Sequence, residues 1–161
     1  RIQLMWAATL AGIAFGNAGV HIPHAMSYAV ASLKKVYTPA DYPAAKPMVP
    51  HGISVIVNAP AAIRFTGQAC PERHLTAAQA LGADTAHATL DDAGEILALT
   101  ITRLMRDTGI PSGIGALGYT MSDIPDLAAR TFAQQRLLKN SPCAVSQNDL
   151  QQIFKSAFSY W

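Results

Sequence analysis

The sequence has few charged residues and few cysteines, and each scarcity excludes a class of protein. Only 14% of the 161 residues are charged and half are apolar, which excludes a disordered chain and predicts a single packed core. The net charge is +2 and the basic residues form no dense stripe, so we do not expect a nucleic-acid partner. Cys70 and Cys143 lie far apart without a CxxC spacing. They predict free thiols in a reducing compartment rather than a disulfide framework or a zinc knuckle.

The sequence also lacks an uninterrupted apolar run long enough to cross a membrane. The N-terminal stretch RIQLMWAATLAGIAFG ends at Gly16 and Asn17, short of the roughly 20 apolar residues that a transmembrane helix needs. It does not show a charged start followed by a cleavage site, as a signal peptide would. The stretch has no initial methionine and no capping residue, and it begins inside a helical pattern. We therefore expect the chain to be the C-terminal part of a longer protein.

The apolar periodicity predicts helices, and every break between periodic segments contains Gly, Pro, Asn or Asp. The pattern therefore predicts an all-α bundle of about six or seven helices around one core. The run ISVIV would fit a short strand equally well if read alone. The predicted helices cover approximately residues 2–15, 23–33, 50–65, 71–82, 89–109, 122–136 and 146–161.

The connections between these helices have their own signals. Residues 34–49 contain three prolines and no sustained period, which predicts a long loop. The glycine-rich stretch 110–118 predicts a flexible connector rather than a phosphate-binding loop, because it does not follow a strand. Ser122 and Ser146 are the predicted N-caps of the last two helices.

Two of the histidines directly follow a proline. Proline is favoured at the first helical position, so Pro23 and Pro50 predict that His24 and His51 lie in the first turns of two helices. The partial positive charge of a helix N-terminus disfavours the imidazolium, and a neutral ring keeps a lone pair for a metal. A histidine in this position is more often a polar helix end or a satisfied core residue. Both interpretations therefore stay open on the pattern alone.

The other candidate ligands do not complete a site. Proline breaks the helical register between His21 and His24, and we expect His74 and His87 to lie on the surface. A catalytic metal usually has three or four protein ligands, so two histidines supply about half of them. The carboxylates without a ligand spacing to a histidine are Asp41, Asp84, Asp91, Asp92 and Glu95.

Several segments, in order along nearly the whole chain, resemble one family. AFGNAGVHIPHAMSYAV followed by VPHGISVIVNAPA is similar to the paired motifs of the iron-containing alcohol dehydrogenases. The segments KKVYTPADYPAAKPM, CPERHLTAAQALGAD and GYTMSDIPDLAARTFAQQRLL resemble one branch, the hydroxyacid-oxoacid transhydrogenases. The resemblance implies that residues 1–161 are the C-terminal helical metal-binding domain of a two-domain enzyme. The N-terminal nucleotide-binding α/β domain of such an enzyme is absent from this chain.

The resemblance also implies a metal site and a cofactor. In the family a divalent metal, typically iron and sometimes zinc, is held between the domains by one Asp and three His. His24 and His51 match two of these ligands, and the other two come from an earlier D-x-x-x-H helix that has no match here. Many relatives have a further histidine four residues after the first ligand, where this chain has Tyr28. NAD would be bound mainly by the absent N-terminal domain.

The activity that the resemblance implies is hydride transfer from a 4-hydroxy acid, 4-hydroxybutyrate, to 2-oxoglutarate. The products would be succinate semialdehyde and 2-hydroxyglutarate. A plain NAD-dependent alcohol dehydrogenase and a non-catalytic helical module remain alternatives. The partners would be these small acids and the N-terminal domain, and a homo-oligomer is possible. The enzyme would be located in the cytoplasm of a bacterium or in the mitochondrial matrix of a eukaryote. Candidate cations for the substrate carboxylates are Lys34, Lys35, Lys46 and Arg64.

Overall fold

The computed structural model describes residues 1–33, 35–40 and 46–161, and within these ranges it contains helices and no strand. The all-α prediction is therefore confirmed, and the alternative of a strand at ISVIV is wrong. The α-helices are α1 (Ile2–Ala18), α2 (Ile22–Ser32), α3 (His51–Ile56), α4 (Ala59–Thr66), α5 (Pro71–Ala80), α6 (Ala93–Asp107), α7 (Ile124–Phe132), α8 (Gln135–Leu138) and α9 (Gln147–Ser156). Short 3₁₀ turns cover Gly67–Ala69, Leu90–Asp92, Gly115–Leu117 and Met121–Asp123. In the described part of the chain, no helix combines the length and apolar character that a bilayer crossing requires.

Helix α2 lies at the centre of the bundle. It packs against α3, α7 and α8, while α9 packs against α7 and α4, and α6 packs against α4 and α5. Apolar side chains at helical spacing account for this packing, because each helix buries one face in the shared core. The largest fully buried side chains include Ile22, Met26, Val30, Leu127, Leu150 and Phe154.

The helix predicted over residues 50–65 is wrong as a single element, because it is broken between α3 and α4. Pro60 has no N–H to donate to the carbonyl of Ile56, so one rung of the helical ladder is missing. The hydroxyl of Tyr160 donates to the Val57 carbonyl at 2.9 Å and accepts from the Ala61 N–H at 3.4 Å. A side chain inserted into the ladder in this way is a known cause of a kink. The break therefore has one local cause and one cause from the distant C-terminal segment.

The predicted caps have opposite outcomes. Ser146 is confirmed as the N-cap of α9, because its hydroxyl accepts from the Asp149 N–H at 3.1 Å and the Asp149 carboxylate accepts from the Ser146 N–H. The prediction of Ser122 as an N-cap is wrong, because this residue lies inside the 3₁₀ turn that precedes α7. The cap of that turn is Thr120, whose N–H donates to the Asp123 carboxylate at 2.8 Å.

The glycine-rich stretch 110–118 is a connector, as predicted, but its backbone is bonded to the C-terminal segment rather than free. The N–H groups of Ile114 and Gly115 donate to the carbonyls of Ala157 and Phe158 at 2.9 and 3.0 Å. A Cβ added at Gly115 would lie 2.9 Å from the Phe158 carbonyl oxygen. Glycine is thus needed here because the two backbone segments approach each other so closely.

Helix α1 stands apart from the core. It runs to Ala18, three residues beyond its predicted end, and stops at Gly19, which has a φ of 75°. None of its residues is buried, and its apolar side chains, including Trp6 at 64% and Leu10 at 59% exposure, point to solvent on all sides. A helix that is apolar all round normally lies inside a larger structure. Helix α1 therefore forms an exposed apolar surface.

Candidate metal centre

The N-terminal ends of α2 and α3 meet, and each carries a predicted ligand. His24 is the third residue of α2 and His51 is the first residue of α3, so their placement in first turns is confirmed. Pro23 is the second residue of α2, while Pro50 is the N-cap of α3, one position earlier than predicted. The two imidazole rings lie 5.4 Å apart between centroids and are inclined by 59°. The structure thus brings together the two residues that the sequence singled out.

Small buried side chains lie one turn beyond each histidine. The Ser27 hydroxyl donates to the His24 carbonyl, and the Ser54 hydroxyl donates to the His51 carbonyl, both at 2.7 Å. Both serines are buried, and α2 and α3 pack against each other. Each hydroxyl has its hydrogen-bond acceptor within its own helix, so the two helices can pack closely without burying an unsatisfied polar group.

The surroundings of His24 favour its neutral ring. Burial, and then the positive charge that His51 can carry, lowers the pKa of His24 below its ordinary value. His51 is exposed, and a Cβ added at Gly52 would meet no atom of the described residues within 4 Å. The pair therefore combines a half-buried neutral nitrogen donor with an accessible one, and leaves open space beside the second. Neutral imidazoles are common ligands of iron and zinc, so these residues fit a divalent metal as part of its ligand set.

His21 lies near the pair and has no assigned role. Its carbonyl accepts from the N–H groups of His24 and Ala25 at 3.0 Å, so its backbone starts α2. Its Nδ1 is buried and has no hydrogen-bond partner within the described residues. Burial, followed by the charges of His24 and His74, lowers the pKa of its ring. His21 is therefore also held in the neutral form.

Within residues 1–33, 35–40 and 46–161, no group of three or more His, Cys, Asp or Glu side chains comes together as a metal site. Asp84 and Asp91 are exposed, and Asp41 lies outside the described residues. Asp92 accepts from Thr89 in a capping turn, at 2.6 Å from the hydroxyl. Among the described residues, His24 and His51 thus remain the two predicted ligands, with ring centroids 5.4 Å apart.

The prediction that His74 lies on the surface is wrong. Its side chain is 8% exposed, with Nδ1 at 2.9 Å from the Cys70 carbonyl and Nε2 at 3.1 Å from the Thr66 hydroxyl. The surface prediction relied on the neighbours Glu72 and Arg73, which are indeed exposed. His74 lies on a different face of the helix, which is turned toward α4 and its following 3₁₀ turn. The surface prediction for His87 is confirmed.

Two of the candidate cations are paired with carboxylates. Lys35 lies 2.8 Å from Asp123, and this hydrogen bond is the main reason that the pKa of Asp123 is lowered. Arg64 donates to Glu95 through Nε and Nη2, at 2.5 and 2.9 Å. Lys46 is exposed, and Lys34 lies outside the described residues.

Two tyrosines at the far ends of α2 and α3 were not identified from the sequence. Tyr119 donates to the carbonyls of Val30 and Leu33, the latter at 2.8 Å, where α2 ends. Tyr160 donates to the Val57 carbonyl, where α3 ends. Burial raises the pKa of Tyr119 to about 12 and also raises the pKa of Tyr160, so both hydroxyls remain donors. No local pattern marks either residue, because both act on helices far away in the chain.

Comparison with known proteins assigns the chain to a family. Residues 1–158 match the Fe-containing alcohol dehydrogenase family, C-terminal. The mitochondrial hydroxyacid-oxoacid transhydrogenases of Xenopus laevis and Homo sapiens are 45% and 44% identical over all 161 residues. The chain spans only about a third of these relatives, 35% and 34% of their lengths.

Solved structures show the same helical arrangement. A 1,3-propanediol oxidoreductase is 29% identical, with a TM-score of 0.81 over 95% of this chain and 36% of its own. An alcohol dehydrogenase from Oenococcus oeni is 28% identical, with a TM-score of 0.76 over 92% of this chain and 35% of its own.

Proposed function

This chain belongs to the Fe-containing alcohol dehydrogenase family, and we propose that it is the helical, metal-binding part of a hydroxyacid-oxoacid transhydrogenase. The observation that carries the proposal is the meeting of His24 and His51 at two helix starts, with ring centroids 5.4 Å apart. The names of the transhydrogenases to which it is similar along its whole length support the choice of activity.

His24 and His51 would hold a divalent metal, iron in the first instance or zinc, through their neutral nitrogens. The remaining ligands would come from the rest of a longer protein. When bound, such a metal would supply Lewis-acid polarisation of the oxygen on the substrate carbon that loses or gains the hydride. The helices of this chain would fix the direction of the two rings, and the lowered pKa of His24 would keep its lone pair available near neutral pH.

The reaction would be a hydride exchange between two small acids. A 4-hydroxy acid such as 4-hydroxybutyrate would lose a hydride to NAD and a proton from its hydroxyl, and so become succinate semialdehyde. The reduced cofactor would return the hydride to 2-oxoglutarate, which takes up a proton and becomes 2-hydroxyglutarate. NAD would be held mainly by the N-terminal domain, which provides the binding and orientation that this chemistry needs.

We also propose that this N-terminal part covers α1. The helix buries none of its own residues, although its side chains are predominantly apolar. Phe15 near its end lies 6.5 Å from His24 between ring centroids, so a partner that covers the C-terminal end of α1 would lie beside the histidine pair. The relatives from Xenopus laevis and Homo sapiens are named mitochondrial, and this protein would work in the mitochondrial matrix if its source is a eukaryote, or in the cytoplasm if its source is a bacterium.

The experiment that tests the activity uses the full-length protein with 4-hydroxybutyrate and 2-oxoglutarate, and without added nucleotide. We expect 2-hydroxyglutarate to form, because a transhydrogenase keeps its cofactor bound through both half-reactions. The likeness to a 1,3-propanediol oxidoreductase favours a second candidate, a plain NAD-dependent alcohol dehydrogenase. That enzyme would make no 2-hydroxyglutarate and would oxidise an alcohol only with added NAD. A non-catalytic module would do neither, and no nucleotide-binding domain with a D-x-x-x-H helix would precede it.

A further inference from the structure

The direction of α3 decides where His51 points. The helix has six residues, with His51 at its first position and the break to α4 after Ile56. Six residues of α-helix span about 9 Å, so the break lies one short helix away from the ring. If α3 turns as a rigid helix about the break, any change in the angle there displaces His51.

Tyr160 occupies the break. Its hydroxyl lies between the Val57 carbonyl and the Ala61 N–H, at 2.9 and 3.4 Å, where a continuous helix would join these two groups directly. Without the hydroxyl, the Ala61 N–H could bond to the Val57 carbonyl and close that rung of the ladder. Pro60 would still prevent the neighbouring rung, so the junction would be changed rather than removed.

Both sides of this insertion are anchored. The N–H groups of Tyr160 and Trp161 donate to the Ser112 hydroxyl at 3.0 and 3.1 Å, which fixes the C-terminal segment. On the other side, α4 and its following turn pack closely against α6, where a Cβ added at Gly67 would lie 2.8 Å from the Cα of Gly94. Because α4 is held on α6, a change at the break would be taken up by α3, within the limits that its packing on α2 allows.

A small change in the angle at the break displaces His51 by more than a metal ligand tolerates. An inserted side chain and a proline are both recognised causes of helix kinks sharper than about 20°, and a 20° change over about 9 Å moves the far end by about 3 Å. Metal-ligand distances are held within about 0.2 Å. A partial change at the break would therefore be enough to spoil coordination by His51.

We propose that Tyr160 is a positioning residue for His51: its hydroxyl, inserted between Val57 and Ala61, sets the angle at which α3 presents the imidazole to the metal. This rests on the proposed function, because it takes His51 as a ligand. Tyr160 does not touch the metal, and its effect passes through the backbone of α3.

The test uses the full-length enzyme, in which the resident metal is removed and replaced by Co²⁺ or Zn²⁺. The variant is Tyr160→Phe, and the matched control is Tyr119→Phe. The control removes an equally bonded phenol hydroxyl from the end of α2, the other histidine-bearing helix, but that hydroxyl caps the helix without interrupting a ladder. The measurements are the visible absorption spectrum of the Co²⁺ form and the Zn²⁺ affinity in competition with a chelator.

We expect Tyr160→Phe to change the Co²⁺ spectrum and to weaken Zn²⁺ binding by about 10- to 100-fold, the usual cost of losing support for a metal ligand. Tyr119→Phe should keep the wild-type spectrum. A Tyr160→Phe spectrum identical to wild type, or an equal change in Tyr119→Phe, would overturn the proposal. If Tyr160→Phe does not fold, Ser112→Ala takes its place, since it loosens the anchor of Tyr160. An unchanged spectrum in that variant would count equally against the proposal.

His24→Ala and His51→Ala, measured in the same assay, separate this inference from the proposed function. If they retain the metal, the proposed metal centre fails whatever Tyr160 does. If they lose the metal while Tyr160→Phe behaves as wild type, only the positioning role fails.

Discussion

The rings of His24 and His51 stand 5.4 Å apart between centroids, at the starts of two helices that a long proline-bearing segment separates in sequence. Pro23 is the second residue of α2 and Pro50 directly precedes α3, and each ring sits in the first turn of its helix. Their proximity comes from the packing of α2 on α3. The relation between these two residues makes this end of the bundle the candidate metal centre.

Replacing either histidine in the full-length protein should abolish metal retention. His24→Ala and His51→Ala each remove one nitrogen donor, and a site of three or four ligands tolerates such a loss poorly. The measurement is the metal content per protein after gel filtration. His87→Ala is the control, because His87 is exposed in a connector. Variants at positions 24 and 51 that keep a full equivalent of metal would remove the basis for the centre.

The 161-residue chain alone should bind Zn²⁺ weakly. It supplies two imidazoles from His24 and His51, about half of a closed coordination sphere, so most of the chelate effect is missing. Calorimetric titration of the chain beside the metal-free full-length protein should show affinities at least about 100-fold apart. Equal affinities would show that the remaining ligands are not needed.

His74 should matter for stability and not for metal. His74→Ala removes a buried ring together with its hydrogen bonds to the Thr66 hydroxyl and the Cys70 carbonyl, which should lower the free energy of unfolding by about 1–3 kcal/mol. His87→Ala should change it by less than about 0.5 kcal/mol, as is usual for a surface position. Urea denaturation of the 161-residue chain measures both. Equal midpoints would contradict the buried role of His74.

Stability without metal should decrease as the pH falls below the ordinary imidazole range. The pKa values of His21 and His24 are lowered in the folded chain, chiefly by burial, so the unfolded chain binds protons at a higher pH than the folded one. The folded state is therefore penalised as pH falls below about 6.5, and the penalty vanishes above it. Urea unfolding at pH 7.5 and 5.5, in a chelator, should show a smaller loss for His21→Gln/His24→Gln than for wild type. An equal loss would rule out these rings as the cause.

Helix α1 should make the isolated chain self-associate. Its apolar side chains are exposed on all sides, and an apolar surface of this kind favours association. Sedimentation should show a concentration-dependent increase in mass for the wild type and a marked decrease for Trp6→Glu/Leu10→Lys. Val36→Lys is the control, because Val36 is 82% exposed outside α1. A monomeric wild-type chain at high concentration would contradict the expectation.

The sequence by itself determined the helical class and several helix starts, because these depend on neighbours within one or two turns. Apolar period, the prolines at positions 23, 50 and 71, and the Ser146 capping box all act locally. For the same reason, the placement of His24 and His51 in first turns was predictable. Pro60 was a local signal as well, because it is one of the two causes of the break between α3 and α4.

Only the tertiary structure decided which distant groups meet. The 5.4 Å separation of the two rings, the burial of His74 against Thr66, and the insertion of Tyr160 beside Val57 each join residues from different helices or segments. Periodicity reports which face of a helix is apolar, but not which helix covers it or at what angle. That angle is fixed by packing and by hydrogen bonds between distant segments, and it is what gives the two histidines a common site.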